Sequence, residues 1–205
     1  MVLQLAACGK EEEEDKPQTQ TKEWVWVPEY VGEEGESSHY NKKLVGDAIC
    51  YINNEWDEET NVQTTTVNKY SLTNGTTDTI PLVWEGENQG LNRLAVGPDG
   101  TIWGVANVWP EEAGPDGMME PAYYLCRFDP EGKQTLFQNI SELLEDGSGD
   151  RYINEIAVDG QGRLYIATDG GVMLFEEDGN YMGLVAMDGT SSRLAVIAKA
   201  VFAWR

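Results

Sequence analysis

The chain has one histidine, three cysteines and only 14 basic residues against 36 acidic ones, a formal net charge of −22 over 205 residues. Each scarcity removes a class of function. Nucleic-acid binding needs a positive surface, and this chain has the opposite sign. A closed zinc site cannot be assembled from one His and scattered Cys. A Ser-His or Cys-His catalytic pair would rest entirely on His39, which stands in an acidic, Ser-rich stretch. No run past the first few residues is apolar for long enough to span a bilayer. Helix signals are almost absent too, and residues 140–145 (ISELLE) are the one short helix expected. The acidic balance suits a soluble, extracellular, cation-tolerant surface.

What is present is strand and turn. Residues 152–182 (YINEIAVDGQGRLYIATDGGVMLFEEDGNYM) hold three short apolar runs: Ile153, Ile156 and Val158; Leu164, Ile166 and Ala167; Val172, Leu174 and Phe175. Each run is β-branched or aromatic and ends in Asp-Gly or Gly-Gly punctuation. Gly160 with Gly162, Gly170 with Gly171, and Gly179 are expected to supply the positive φ of the turns. A lone meander of this size cannot bury both faces, so it must stack on copies of itself.

A copy lies 62 residues upstream, where LNRLAVGPDGTIW (91–103) aligns without a gap on INEIAVDGQGRLY (153–165). Asn92 and Asn154 open the innermost strand, Ala95-Val96 and Ala157-Val158 form its middle, and Trp103 and Tyr165 put a ring in the second strand. A broken third copy, Ser192-Arg193-Leu194-Ala195-Val196, follows at the ordinary blade spacing. There Ala198-Lys199-Ala200 replaces the Asp-Gly turn, and the last residues are expected to leave the pattern. The longer first interval implies an insertion, residues 109–123 (WPEEAGPDGMMEPAY), between the second strand and a third over 124–128. Upstream, 44–52 reads as a strand pair around a Gly-Asp turn, 61–72 as a Thr-rich strand, and 78–84 as the strand that closes that blade. The fold class expected is all-β, a β-propeller of four-stranded antiparallel blades. The repeat length leaves room for about four blades, fewer than closed propellers usually have. The expected object is therefore an incomplete propeller: either its closing strand comes from the N-terminal segment or, the reading favoured, the chain is a fragment of a longer protein.

The start divides differently. Leu5-Ala6-Ala7-Cys8-Gly9 has the form of a bacterial lipobox, which makes Cys8 the lipidation site. No basic residue precedes it and the apolar stretch is short, so residues 1–8 read as a truncated lipoprotein signal. Residues 9–23 form an acidic, apolar-free tether, and 24–205 the partial propeller. Residues 23–31 (EWVWVPEYV) read as a strand ended by Pro28, with Trp24 and Trp26 on one face. With Cys8 set aside, Cys50 and Cys126 sit inside expected strands. A disulfide and two buried free thiols both fit.

These segments, with WVWVPEYV, LNRLAVGPDGTIWGVANVW, YYLCRFDPEGK and INEIAVDGQGRLYIATDGGVMLFEEDGN, resemble the N-terminal propeller of large surface lipoproteins of gut Firmicutes. In longer members that propeller precedes a solute-binding domain of the kind that feeds ABC transporters. The resemblance covers most of 24–196 and implies a propeller held by lipid on the extracellular face of the bacterial membrane, associated with solute uptake. LYIATDGGVMLF is also similar to NHL repeats and to the sensor propellers of two-component regulators.

The chemistry expected is binding rather than catalysis. The insertion offers Trp109, Met118, Met119, Tyr123 and Tyr124, whose rings and thioethers suit a small-molecule, carbohydrate or peptide ligand, or a partner domain. Packing of the same residues onto their own blade is the structural alternative. The competing enzyme class is a lactonase, since gluconolactonase-like propellers hold a divalent metal on the axis. Asn92 and Asn154, with Glu155 beside one, stand in that kind of position. Capping of a turn is the simpler use of both Asn side chains. No cofactor is expected, although Asp146, Ser148 and Asp150 alternate like the first ligands of a calcium loop. That loop's sixth and twelfth positions are Arg151 and Ala157, which fits a solvated turn instead.

Overall fold

The computed structural model describes residues 41–60, 62–85, 88–110, 112, 120–144 and 152–185 with their side chains, and 186, 193–197 and 200–204 as backbone. The lipobox with Cys8, the tether, the strand expected over 23–31 and His39 lie outside the described residues. So do Met118, Met119, Asp146, Ser148 and Asp150.

Three four-stranded antiparallel sheets follow one another along the chain, each with its strands in sequence order. Blade 1 is β1 (Lys43–Val45), β2 (Ala48–Asp57), β3 (Val62–Ser71) and β4 (Thr77–Pro81). Blade 2 is β5 (Arg93–Val96), β6 (Ile102–Val108), β7 (Ala122–Phe128) and β8 (Gln134–Asn139). After the single-turn helix α1 (Ser141–Leu144) comes blade 3, with β9 (Ile153–Val158), β10 (Leu164–Thr168), β11 (Gly171–Phe175) and β12 (Tyr181–Ala186). β13 (Arg193–Ile197) and β14 (Ala200–Trp204) pair as a hairpin. The first strands β1, β5, β9 and β13 are neighbours in that order. The sheets therefore stack side by side with their first strands innermost, which is a β-propeller.

The internal repeat is visible in the pairing. Val96↔Ile102, Ala95↔Trp103, Leu94↔Gly104 and Arg93↔Val105 in blade 2 have the same register as Val158↔Leu164, Ala157↔Tyr165, Ile156↔Ile166 and Glu155↔Ala167 in blade 3. Three expectations need correction. The stretch 152–182 reaches into a fourth strand, β12, because Asn180 ends a turn rather than the blade. The last residues leave the five-residue turn of blades 2 and 3 but not the strand pairing, which runs from Ile197↔Ala200 to Arg193↔Trp204. Of the paired glycines, Gly162 (φ 81°) and Gly171 (φ 140°) take positive φ and Gly160 and Gly170 do not.

Period-two alternation sends each middle strand's side chains into two interfaces. Leu94, Ile102, Ala106, Cys126 and Phe128 pack towards blade 1 with Cys50, Ile52, Val67 and Leu91. Trp103, Val105 and Leu125 pack towards blade 3 with Ile156, Leu164, Ile166, Met173 and Phe175. Most of these are fully buried, and each large apolar side chain contributes roughly 1.5–3 kcal/mol. Cys50 and Cys126 are free thiols inside the first interface. Burial pushes the Cys126 thiol up to about 12 and raises that of Cys50 as well.

Candidate functional site

In an antiparallel meander successive connections alternate between the two ends of the sheet. At one end of this stack the connections are tight turns. At the other, where the innermost strands start, lie the longer segments 82–92, 109–121 and 140–152.

The centre of the loop-rich end is tied together by polar side chains. Asn41 Nδ2 donates to the carbonyl of Asn92. One blade further on, Arg93 repeats the move, donating from Nε to Asn154 O and from Nη2 to Ile153 O, both at 3.0 Å, and from Nη1 to Asn92 O at 2.8 Å. Lys43 of blade 1 forms an ion pair with Glu155 of blade 3, and both side chains are largely covered. Asn154 Nδ2 donates to Asp169 Oδ1 at 2.8 Å, across to the β10–β11 turn.

These contacts test the axial metal that Asn92 and Asn154 suggest. Glu155 is engaged by Lys43 and by the Ile156 amide at 3.2 Å, and the Arg93 guanidinium lies on the carbonyls beside it. Two fixed positive charges at that place repel a divalent cation. Among the described residues no three His, Cys, Asp or Glu side chains converge to hold one. The residues present do not fit the metal.

Around this centre the loop-rich end exposes large rings. Trp109, at the start of the insertion, is 58% exposed, and Trp56 and Tyr152 are 56% and 66% exposed. The other sequence candidates divide. Tyr123 belongs to β7 rather than to the insertion, and Tyr124 lies in the strand expected for it. Tyr123 packs against the blade 2–blade 3 core, and Tyr124 stacks on Phe137 with centroids 4.4 Å apart. Sequence reading missed Trp56. Its signal was the length of the alternation from Ala48 to Asp57, which outruns an ordinary blade strand.

The opposite end carries a different kind of site. Asp159, almost wholly buried, accepts Gln161 N (2.8 Å), Arg163 N (3.0 Å), Arg163 Nε (2.8 Å) and the Tyr165 hydroxyl (3.1 Å). Burial works to raise its pKa, but these donors, Arg163 foremost, hold the carboxyl below the usual range. Asp159 in turn raises the Arg163 pKa. Burial, and then the neighbouring Asp159 charge, raise that of Tyr165. Beside them Arg127 lies over the Trp103 ring at 5.5 Å, its Nε buried without a hydrogen-bond partner. Arg127, Gln161, Arg163, Glu176, Glu177 and Asp178 line a shallow depression of about 440 Å³. Its two guanidiniums face three carboxylates, so no single charge sign is selected.

No family model matches this chain. No curated protein matches it either. Solved structures do match. A gluconolactonase from Xanthomonas campestris is similar at 17% identity and a TM-score of 0.46, over 83% of this chain and 54% of that one. The β-propeller domain of the Trilobed protease from Pyrococcus furiosus is similar at 11% identity and a TM-score of 0.41, over 73% and 42%. The chain thus spans about half the length of the first and less of the second.

Proposed function

We propose that this chain is a non-catalytic binding module of a surface lipoprotein, lipidated at Cys8, held outside the bacterial membrane by its acidic tether, and associated with solute uptake. Its ligand face is the loop-rich end. The observation that carries this reading is the division of labour there. Charged groups at the centre are spent on joining blades, whereas Trp109, Trp56 and Tyr152 leave more than half of their surface exposed. Exposed rings grouped at one end mark a contact surface better than scattered ones do.

The test is a titration of the full chain with oligosaccharides and short peptides, repeated with Trp109→Ala and with residues 110–121 shortened. Both changes should weaken binding while leaving the melting curve in place. The rival reading is a metal-dependent lactone hydrolase; the similar Xanthomonas campestris protein is named a gluconolactonase. It predicts turnover of a lactone that needs a divalent ion and disappears in Asn154→Ala. Such turnover would replace the binding-module reading outright.

A further inference from the structure

The β2–β3 hairpin outreaches its neighbours. Its strands have 10 residues each, against 7 in β6 and β7 and 5 in β10 and β11. Its register runs from Ala48↔Ser71 at the tight-turn end to Asp57↔Val62, so the surplus projects at the loop-rich end. Alternation gives this projection a pair of unlike faces. Asn54 is paired with Thr65 and Trp56 with Gln63 on the face that continues down into Cys50, Ile52 and Val67, the face packed against blade 2. The acids Glu55 and Asp57 belong to the other face, opposite Thr64 and Val62. In a chain of net charge −22, the surface turned towards blade 2 is built from an indole, amides and a hydroxyl.

Below Trp56 that surface is fixed in place. Asn54 Nδ2 donates to Leu91 O at 3.0 Å, and Asn54 Oδ1 accepts the Thr65 hydroxyl at 2.8 Å and Leu91 N at 3.3 Å. The Thr65 hydroxyl is also 3.0 Å from Asn88 Oδ1, which accepts Gly90 N at 2.8 Å. A side chain at Gly90 (φ 70°) would collide with the Gln63 amide, so the glycine lets that amide lie against the 88–91 segment. This network uses Asn88 through its oxygen alone and does not use the Gln63 amide. Donors and acceptors are therefore left over beside a half-exposed ring on a rigid floor, and no charged group contributes to the network.

Resting on the reading of the loop-rich end as the ligand face, we propose that the inner face of the β2–β3 hairpin binds a neutral carbohydrate. The apolar C–H face of a pyranose stacks on Trp56, and its hydroxyls bond to the Gln63 and Asn88 amides. An acidic sugar finds no counter-charge on this face and meets the repulsion of the whole chain.

The experiment is isothermal titration of the full chain with neutral gluco-, manno- and xylo-oligosaccharides and with oligouronates, on wild type, Trp56→Ala, Gln63→Ala and Trp109→Ala. The expected result is binding of a neutral series and not of oligouronates. Trp56→Ala should weaken it about tenfold or more and Gln63→Ala severalfold, with thermal unfolding unchanged because Trp56 is half exposed. Neutral binding that survives Trp56→Ala but falls with Trp109→Ala would sink this site and leave the ligand face standing. Neutral binding that survives all three changes would remove both readings. A preference for oligouronates, or no binding to any neutral series, would overturn the carbohydrate assignment.

Discussion

The two ends of the blade stack are built on opposite plans. At the tight-turn end, four connections in blades 2 and 3 are the same object: GPDGT (97–101), DPEGK (129–133), DGQGR (159–163) and EEDGN (176–180). In each, the first residue's amide donates to the fifth's carbonyl at 2.8–3.0 Å, and the fourth residue, always glycine, donates to the first's carbonyl at 2.9–3.1 Å. The four glycines lie at φ 81–89°. At the loop-rich end no such unit recurs among the described residues. Its cohesion comes from side chains that cross from blade to blade, Asn41, Arg93 and Lys43. One end is thus closed by local backbone geometry and the other by long-range contacts, which leaves the second free to vary its loops and expose rings.

The sharpest way to break this contrast is at Gly132 (φ 88°). A Cβ there would meet the carbonyl oxygen of Pro81 on the neighbouring blade. Gly132→Ala should cost about 2 kcal/mol or more, combining a left-handed backbone with a backbone clash. Gly46 (φ 61°), whose added Cβ meets nothing within 4 Å, supplies the control. Gly46→Ala should cost only the conformational share, about 1–2 kcal/mol. Equal losses in denaturant melts would show that the turn, not its packing, limits stability.

Next in size is Asp159. Asp159→Ala strands the donors that converge on it and should cost about 1–3 kcal/mol. The pH dependence has a definite sign. The carboxyls of Asp159 and of Asp99, the latter held down chiefly by the Thr101 hydroxyl at 2.6 Å, both lie below their ordinary values. Their contribution is fully present above the unfolded carboxylate pKa near about 4 and is lost as pH falls through the lower folded values. Wild type should lose stability across that acid range, and Asp159→Asn should flatten the loss. An acid limb unchanged in Asp159→Asn would remove the turn from the explanation. The smallest effect concerns the core that both ends share. With its thiol near 12 and fully buried, Cys126 should resist alkylation at neutral pH until the protein unfolds, as mass spectrometry of iodoacetamide-treated samples would read out.

Much of the fold was legible because its causes are local. The turn glycines, the apolar alternation and the 62-residue repeat are all written in neighbouring residues. The helix over Ser141–Leu144 fell inside the segment expected for it. The site was far less legible. Trp109 was found from its place in a Pro- and Gly-rich insertion. Tyr123 looked like the end of the same loop because its strand begins at Ala122, two residues before the expected start. Trp56 fell in the gap between the strand pair expected over 44–52 and the strand over 61–72, since nothing local says that β2 runs on to Asp57.

By itself the sequence determined an all-β chain of stacked meanders, the position of its tight turns and the identity of its core strands, because hydrophobic period and turn chemistry act over a few residues. Only the tertiary structure decided the rest. Arg93 reaches carbonyls of blade 3 and Lys43 of blade 1 a carboxylate of blade 3, so their occupation of the axis depends on how the sheets stack. The neutral face of Trp56 and Gln63 exists only when two strands pair in one register beside Asn88 and Gly90. Such juxtapositions are set by long-range packing, which no stretch of neighbouring residues encodes.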